Sequence, residues 1–117
     1  MASRLVILHH VLPDGEHWDL MMECGDVLMT WQLLREPAGP ASLPLPARRI
    51  GDHRKAYLTY EGPISGNRGF VRRIDGGTFE FVERSDTRVV VDINARRLSG
   101  RFSLAAQGDL WLMAVEA

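Results

Sequence analysis

Residues 17–23 read HWDLMME, and this stretch decides how the chain is interpreted. In a β-strand successive side chains point to opposite faces, so residues two apart share a face. The stretch then divides into a polar face and an apolar face: His17, Asp19, Met21 and Glu23 against Trp18, Leu20 and Met22. We expect the apolar face to pack in a core. The polar face places an imidazole beside a carboxylate.

The surrounding sequence repeats this pattern of short strand-like runs separated by turn signals. Pro13-Asp14-Gly15 precedes the stretch and Cys24-Gly25-Asp26 follows it, as in two successive hairpins. Residues 36–46 carry four of the six prolines and are predicted to form a surface loop. No stretch of helix length shows apolar residues at the 3.6-residue spacing of an α-helix. The pattern predicts an all-β fold, an antiparallel barrel with at most a short helical turn around residues 52–57.

Length and composition indicate one domain over residues 1–117, with a core of aromatic and aliphatic side chains. Apolar runs are too short to span a bilayer, and the N-terminus lacks the pattern of a signal peptide. The single cysteine, Cys24, cannot form an internal disulfide. We therefore expect a cytoplasmic protein without a membrane partner. The aromatics are assigned to the core and barrel wall: Trp31, Phe79, Phe81 and Trp111.

Charge is unevenly distributed, although the net charge is only −1. Residues 1–35 sum to −3, whereas residues 48–73 sum to +5. An acidic, histidine-containing start and a basic middle are compatible with a metal and a phosphate held together. Segregation of this size also arises by chance on many surfaces, so it does not decide the function.

The spacing of His17 and Asp19 suits a pair of metal ligands. Residues two apart on a strand lie ~6.5 Å apart on one face, so their side chains can converge. If the preceding strand pairs with residues 17–23, either His9 or His10 arrives beside His17. Two imidazoles and a carboxylate suit Zn, Mn or Fe and leave open coordination positions. The alternative is a set of surface or core histidines without a metal.

His53 and Tyr57 form a second candidate pair, four residues apart, the separation that joins side chains on one helical turn. Both can donate to a phosphate oxygen, and a histidine can also protonate a leaving group. The alternative is a loop histidine and a barrel tyrosine with no shared task.

Seven short motifs occur in a fixed order over about residues 5–104, and together they resemble one known family. They are LVILHH, HWDLMME, VLMTWQLLREP, DHRKAYLTYEGPI, SGNRG, DGGTFE and LSGRFSL. The chain resembles the 3′-phosphoesterase domain of bacterial DNA ligase D, the end-joining ligase, and its small stand-alone relatives.

The resemblance implies an antiparallel β-barrel and a Mn²⁺-dependent hydrolase of DNA repair that removes 3′-phosphates and terminal ribonucleosides from DNA or RNA primer ends. Zn²⁺ or another divalent ion is the alternative cofactor. Any ligase or polymerase partner would be a separate protein. The implied site comprises the metal ligands His10, His17 and Asp19, with His9 as fallback for the first ligand, and the phosphate-contacting His53 and Tyr57.

The chain departs from the family pattern at two positions. An arginine that grips the phosphate is replaced by Met21, and a glutamate that precedes the DH pair is replaced by Gly51. A thioether offers no charged donor. We expect a nearby arginine to compensate, and the candidates are Arg68, flanked by Gly66 and Gly69, and the Arg72/Arg73 pair. The alternative is that Arg68 is a solvated loop residue. The alternatives are a catalytically weak or inactive nucleic-acid end-binding module, or a structural β-domain in which the histidines do not converge.

Overall fold

A computed structural model describes residues 3–116 of the chain. It contains nine β-strands and two short 3₁₀ helices, at Pro40–Ser42 and Lys55–Leu58. The strands are β1 (Ser3–Leu12), β2 (Gly15–Cys24), β3 (Val27–Leu33), β4 (Leu45–Arg54), β5 (Gly62–Pro63), β6 (Phe70–Arg84), β7 (Arg88–Ala95), β8 (Ser99–Gln107) and β9 (Leu110–Val115). The prediction of an all-β fold is confirmed.

Eight of the strands close into an antiparallel barrel in the order β1-β2-β3-β4-β9-β8-β7-β6, and β6 pairs back with β1. Closure depends on the length of β6, which has 15 residues. Its first part pairs with β1 and its last part with β7, while the two-residue β5 pairs only with its beginning. A closed barrel leaves no long unpaired edge.

The barrel interior is the main core. Trp18, Leu20 and Met22 pack there, as the alternation in β2 predicts. Trp31 and Phe79 are fully buried at the same core, and Phe81 and Trp111 pack against it while partly buried. The assignment of these aromatics to core and wall is therefore confirmed.

A second apolar cluster lies on the outer face of β1–β3 and the start of β6, and consists of Val6, Leu8, Met21, Leu28, Leu58 and Val71. Leu58, from the second 3₁₀ helix, covers this face. The polar face of residues 17–23 is therefore not exposed to solvent throughout, since Asp19 and Met21 are only 3% and 1% exposed. The sequence of β2 alone does not show that a distant segment folds across it.

Charged contacts fix that covering segment to β2. Glu23 accepts hydrogen bonds from Arg4, and Lys55 Nζ lies 3.0 Å from Glu23 Oε2. The hydrogen bonds from Arg4, followed by that from Lys55, lower the pKa of Glu23 to about 2. The carboxylate therefore stays ionised at any pH used for assay, and the start of the 3₁₀ helix remains paired with the barrel wall.

The proline-rich segment is a loop up to Pro44, with the first 3₁₀ helix inside it. The predicted loop is two residues too long, because β4 begins at Leu45 and Pro46 pairs with Leu112 of β9. Proline is tolerated there because it lies beside the strand end.

Neither 3₁₀ helix among residues 3–116 has the length or hydropathy to cross a membrane.

Candidate active site

Three predicted ligand residues meet on the covered face of β1 and β2. His10 and His17 are direct partners in the antiparallel register, and Asp19 lies two residues further along β2. His10 Nδ1 lies 3.2 Å from His17 Nε2, and His17 Nε2 lies 3.1 Å from Asp19 Oδ1. One potential ligand atom from each residue lies within 4.8 Å of the other two. The three side chains thus converge and are called the ligand cluster below. Metal binding by this cluster stays a prediction.

The donor set fits a divalent ion. Asp19 Oδ1 is buried and accepts no hydrogen bond, although His17 Nε2 is near it. The His17 imidazole and the Asp19 carboxylate are close, but they do not form a hydrogen bond. This is expected when the lone pairs of both groups point at the position of one cation. Ligand atoms ~2.1 Å from one ion are separated by ~3.0 Å at a right angle and ~3.4 Å in a tetrahedron. Two of the observed separations, 3.1 and 3.2 Å, fall in this range, and the third, from His10 Nδ1 to Asp19 Oδ2, is 3.7 Å.

A backbone carbonyl fixes the orientation of His10. His10 Nε2 lies 2.8 Å from the carbonyl oxygen of Arg68. Because a carbonyl only accepts, Nε2 carries the proton and Nδ1 keeps its lone pair toward Asp19 and His17. Such outer contacts orient metal-binding histidines. The loop containing Arg68 therefore supports the cluster as well as bordering it.

Gln32 is a neighbour of the cluster that the sequence analysis missed. It pairs with Asp19 across β2 and β3, and its Nε2 lies 3.5 Å from His17 Nε2. The sequence does mark Gln32, which is a polar residue between the apolar Trp31 and Leu33. That it lies beside Asp19, however, follows only from the register of β2 and β3.

His9 does not belong to the cluster. It lies on the opposite face of β1, where its ring stacks on Trp18 with centroids 4.9 Å apart. Its Nε2 lies 2.6 Å from Glu16 Oε1. Neighbouring strand residues point to opposite faces, so only one of the two histidines can face Asp19. The geometry therefore brings His10, and not His9, to His17 and Asp19, and His9 is not among the residues that line the adjoining cavity.

A cavity of about 160 Å³ opens beside the cluster. The side chains predicted from sequence that line it are His10, Asp19, Met21, His53, Tyr57 and Arg68. They come from β1, β2, β4, the second 3₁₀ helix and the loop before β6. Residues far apart in the chain therefore surround one space.

His53 and Tyr57 lie together at this cavity. Their ring centroids are 5.7 Å apart in an edge-to-face arrangement. His53 belongs to the end of β4, and the helical turn begins only at Lys55, so they do not share the single helical turn that the spacing suggested. His53 Nδ1 lies 3.0 Å from the carbonyl oxygen of Gly51 and therefore donates to it. Its Nε2 is left for a substrate or a proton.

Arg68 is held at the edge of the cavity by its own loop. Its Nε donates to Ser65 O at 2.7 Å, and Nη2 lies 3.2 Å from Ser65 Oγ. Gly66, Asn67 and Gly69 all have positive φ, which turns the chain back tightly. Met21 lies in the wall of the same cavity. Arg68 and Met21 thus border one cavity, and compensation for Met21 by the Arg68 guanidinium stays a prediction.

Gly69→Ala is expected to disturb the cluster from outside it. A Cβ at Gly69 would overlap the carbonyl oxygen of Val11, and the residue has φ +79°, so the loop must move. Movement would break the bond between His10 and the Arg68 carbonyl, which we expect to weaken Mn²⁺ binding ~10-fold or more. Titration of Mn²⁺ by isothermal calorimetry measures this.

Gly66→Ala is the matched control. Gly66 also has positive φ (+75°), but its nearest contact to an added Cβ is Arg68 Nε at 3.7 Å. It should cost ~1 kcal/mol of folding stability from backbone strain and leave metal affinity near wild type. Equal losses of affinity in the two variants would contradict the role given to the Gly69 contact.

Comparisons with known proteins identify the family of this chain. The family model described as the DNA Ligase D 3′-phosphoesterase domain matches residues 8–106. The chain is 34% identical over 104 residues to the multifunctional non-homologous end joining DNA repair protein LigD of Mycobacterium tuberculosis H37Rv, and 33% identical to the corresponding protein of Mycobacterium bovis. The alignments cover 82% of this chain and 14% of each relative. The resemblance inferred from the seven motifs is confirmed.

Proposed function

Because the chain belongs to the DNA ligase D 3′-phosphoesterase domain family, we propose that it is a metal-dependent phosphoesterase that processes nucleic-acid 3′ ends in DNA repair. One observation carries the proposal: two residues of the ligand cluster, His10 and Asp19, line the same cavity as the predicted phosphate-binding side chains His53, Tyr57 and Arg68. A cation next to a bound phosphate promotes hydrolysis, because it stabilises the negative charge that develops in the transition state.

The residues that would hold the ion are His10, His17 and Asp19. We propose Mn²⁺ because the family resemblance implies it, while the two imidazoles and one carboxylate also suit Zn²⁺. A bound ion would supply Lewis-acid polarisation of a phosphate oxygen and stabilise developing negative charge.

The protein's own side chains then account for the remaining steps. Arg68 and Tyr57 donate hydrogen bonds to phosphate oxygens and hold the terminal group in the cavity. Water attacks phosphorus, and the bond from phosphorus to the 3′ oxygen breaks. His53 gives a proton to that leaving oxygen as general acid. The products are inorganic phosphate and a 3′-hydroxyl end, the group that polymerases extend and ligases join, so we expect such enzymes to act next.

The second candidate is an end-binding module with weak or no catalysis. Its support is Met21, which is 1% exposed and lies in the apolar cluster as well as in the cavity wall. A purely structural β-domain has less support, because the histidines do converge with Asp19.

Conversion of a labelled primer separates these functions. A 5′-labelled oligonucleotide that ends in a 3′-phosphate is incubated with metal-free protein and Mn²⁺, and its shift to the 3′-hydroxyl form is followed on a gel. We expect conversion with Mn²⁺ and none with EDTA. Asp19→Asn, purified in the same way, controls for contaminating phosphatases. Binding without conversion favours the end-binding module, and absence of both contradicts both functions.

Arg68→Ala is expected to weaken phosphate binding ~10-fold or more, because a hydrogen bond to a charged group contributes ~1.5–3 kcal/mol. Its backbone carbonyl remains, so the bond to His10 and the affinity for Mn²⁺ should not change. The Michaelis constant for the 3′-phosphorylated primer measures the effect.

Arg97→Ala is the control for Arg68→Ala, since Arg97 pairs with Glu36 at 3.2 Å and lies outside the cavity lining. Equal Michaelis constants for the two variants would show that Arg68 does not compensate for Met21.

A further inference from the structure

A second groove of about 280 Å³ adjoins the site cavity. The two spaces share Tyr57, Ile64 and Arg68 as walls. Arg54 and Tyr60 line the outer groove and not the site cavity. A chain whose terminal group occupies the cavity would therefore continue into this groove.

Aromatic rings lead from the cavity into the groove. The rings of His53 and Tyr57 are 5.7 Å apart, and those of Tyr57 and Tyr60 are 5.9 Å apart, both edge to face. The Tyr60 hydroxyl donates to the carbonyl oxygen of Pro63, so the ring is anchored at one end. Tyr60 is nevertheless 37% exposed. An anchored, exposed ring suits stacking against a base.

Two arginines border the groove without a carboxylate partner. Among residues 3–116, neighbouring cations do form ion pairs: Lys55 pairs with Glu23, and Arg49 pairs with Asp52. Arg54 and Arg68 take part in none of them, and no acidic residue lines the groove. Their charges are therefore available to an anion such as a backbone phosphate.

We propose that this groove binds the nucleotide that precedes the 3′ terminus of the strand whose end occupies the cavity. Tyr60 stacks on its base, and Arg54 contacts its backbone phosphate. The strand is then held by at least two consecutive nucleotides rather than by its terminal group alone. The assignment of the groove to the nucleotide before the 3′ terminus rests on the proposed function. Binding of a nucleic-acid strand in the groove can be measured without turnover.

The test is the affinity of a 5′-fluorescein oligothymidylate, measured by anisotropy in EDTA. Tyr60→Leu should weaken binding about tenfold, within the range for loss of one stacked base. Tyr60→Phe keeps the ring but loses its anchor to Pro63, so it should lose less affinity than Tyr60→Leu. Phe70→Leu is the matched control, because Phe70 is 49% exposed but lies next to Val71 on the opposite face of β6. Equal affinity of Tyr60→Leu and Phe70→Leu overturns the proposal.

Two further measurements separate this proposal from the proposed function. Arg54→Gln should reduce the slope of log affinity against log salt by about one, whereas Arg97→Gln should not. With Mn²⁺, Tyr60→Leu should lose turnover of the 3′-phosphorylated oligonucleotide but keep that of thymidine 3′-phosphate. No turnover of either substrate by wild type rejects only the phosphoesterase. Equal losses on both substrates, or an unchanged salt slope in Arg54→Gln, reject the groove.

Discussion

Asp19→Asn is expected to abolish divalent-metal binding and turnover while the barrel remains folded. Asp19 supplies the single carboxylate of the cluster, and its Oδ1 accepts no hydrogen bond. Asparagine keeps the shape of the side chain but loses the charge that favours a cation. Mn²⁺ titration and primer conversion measure the two losses.

Thermal unfolding gives a readout of Asp19→Asn that does not depend on activity. A ligand at a hundredfold excess over its dissociation constant stabilises the folded state by ~2.7 kcal/mol, so Mn²⁺ should raise the melting temperature of wild type by roughly 10 °C. The variant should show no rise. Without metal it should be at least as stable as wild type, because a buried charge with an unpartnered oxygen has been removed.

Asp92→Asn controls for loss of a strand aspartate, since Asp92 pairs with Arg101 at 2.8 Å on the exposed side of β7. It should respond to Mn²⁺ like wild type. His17→Ala should behave like Asp19→Asn. If both cluster variants kept wild-type affinity for Mn²⁺, the metal site would be rejected.

His53→Ala is expected to lower turnover ~10²–10⁴-fold, the usual contribution of general acid catalysis. His53 lines the cavity but does not belong to the ligand cluster, so the response to Mn²⁺ should stay at the wild-type level. Tyr57→Phe removes one phosphate donor and should cost only about tenfold. Single-turnover conversion of the 3′-phosphorylated primer measures both.

His9→Gln is the control histidine, because His9 lies on the other face of β1 and stacks on Trp18. It should turn over primer at a rate near wild type. A joint loss of turnover and Mn²⁺ response in His53→Ala would instead make His53 part of the metal site, and unchanged turnover would remove its catalytic role.

The sequence by itself determined the local pattern of this protein. Alternation in HWDLMME assigned Trp18, Leu20 and Met22 to the core, and His17 and Asp19 to a shared opposite face. The turn signals placed the hairpins, and the order of short motifs identified the family. These features are readable because strand periodicity and turn chemistry involve only residues close in the chain.

The tertiary structure alone decided which histidine faces Asp19 and what covers that face. His10 rather than His9 joins the cluster because the two-residue turn after Leu12 fixes the register of β1 and β2, and a shift of one residue would exchange them. Met21 is buried, and Arg68 reaches the cavity, because closure of the barrel brings residues 54–69 across β1–β3. Contacts such as His10 to Arg68, 58 residues apart, depend on that closure and have no local signature in the sequence.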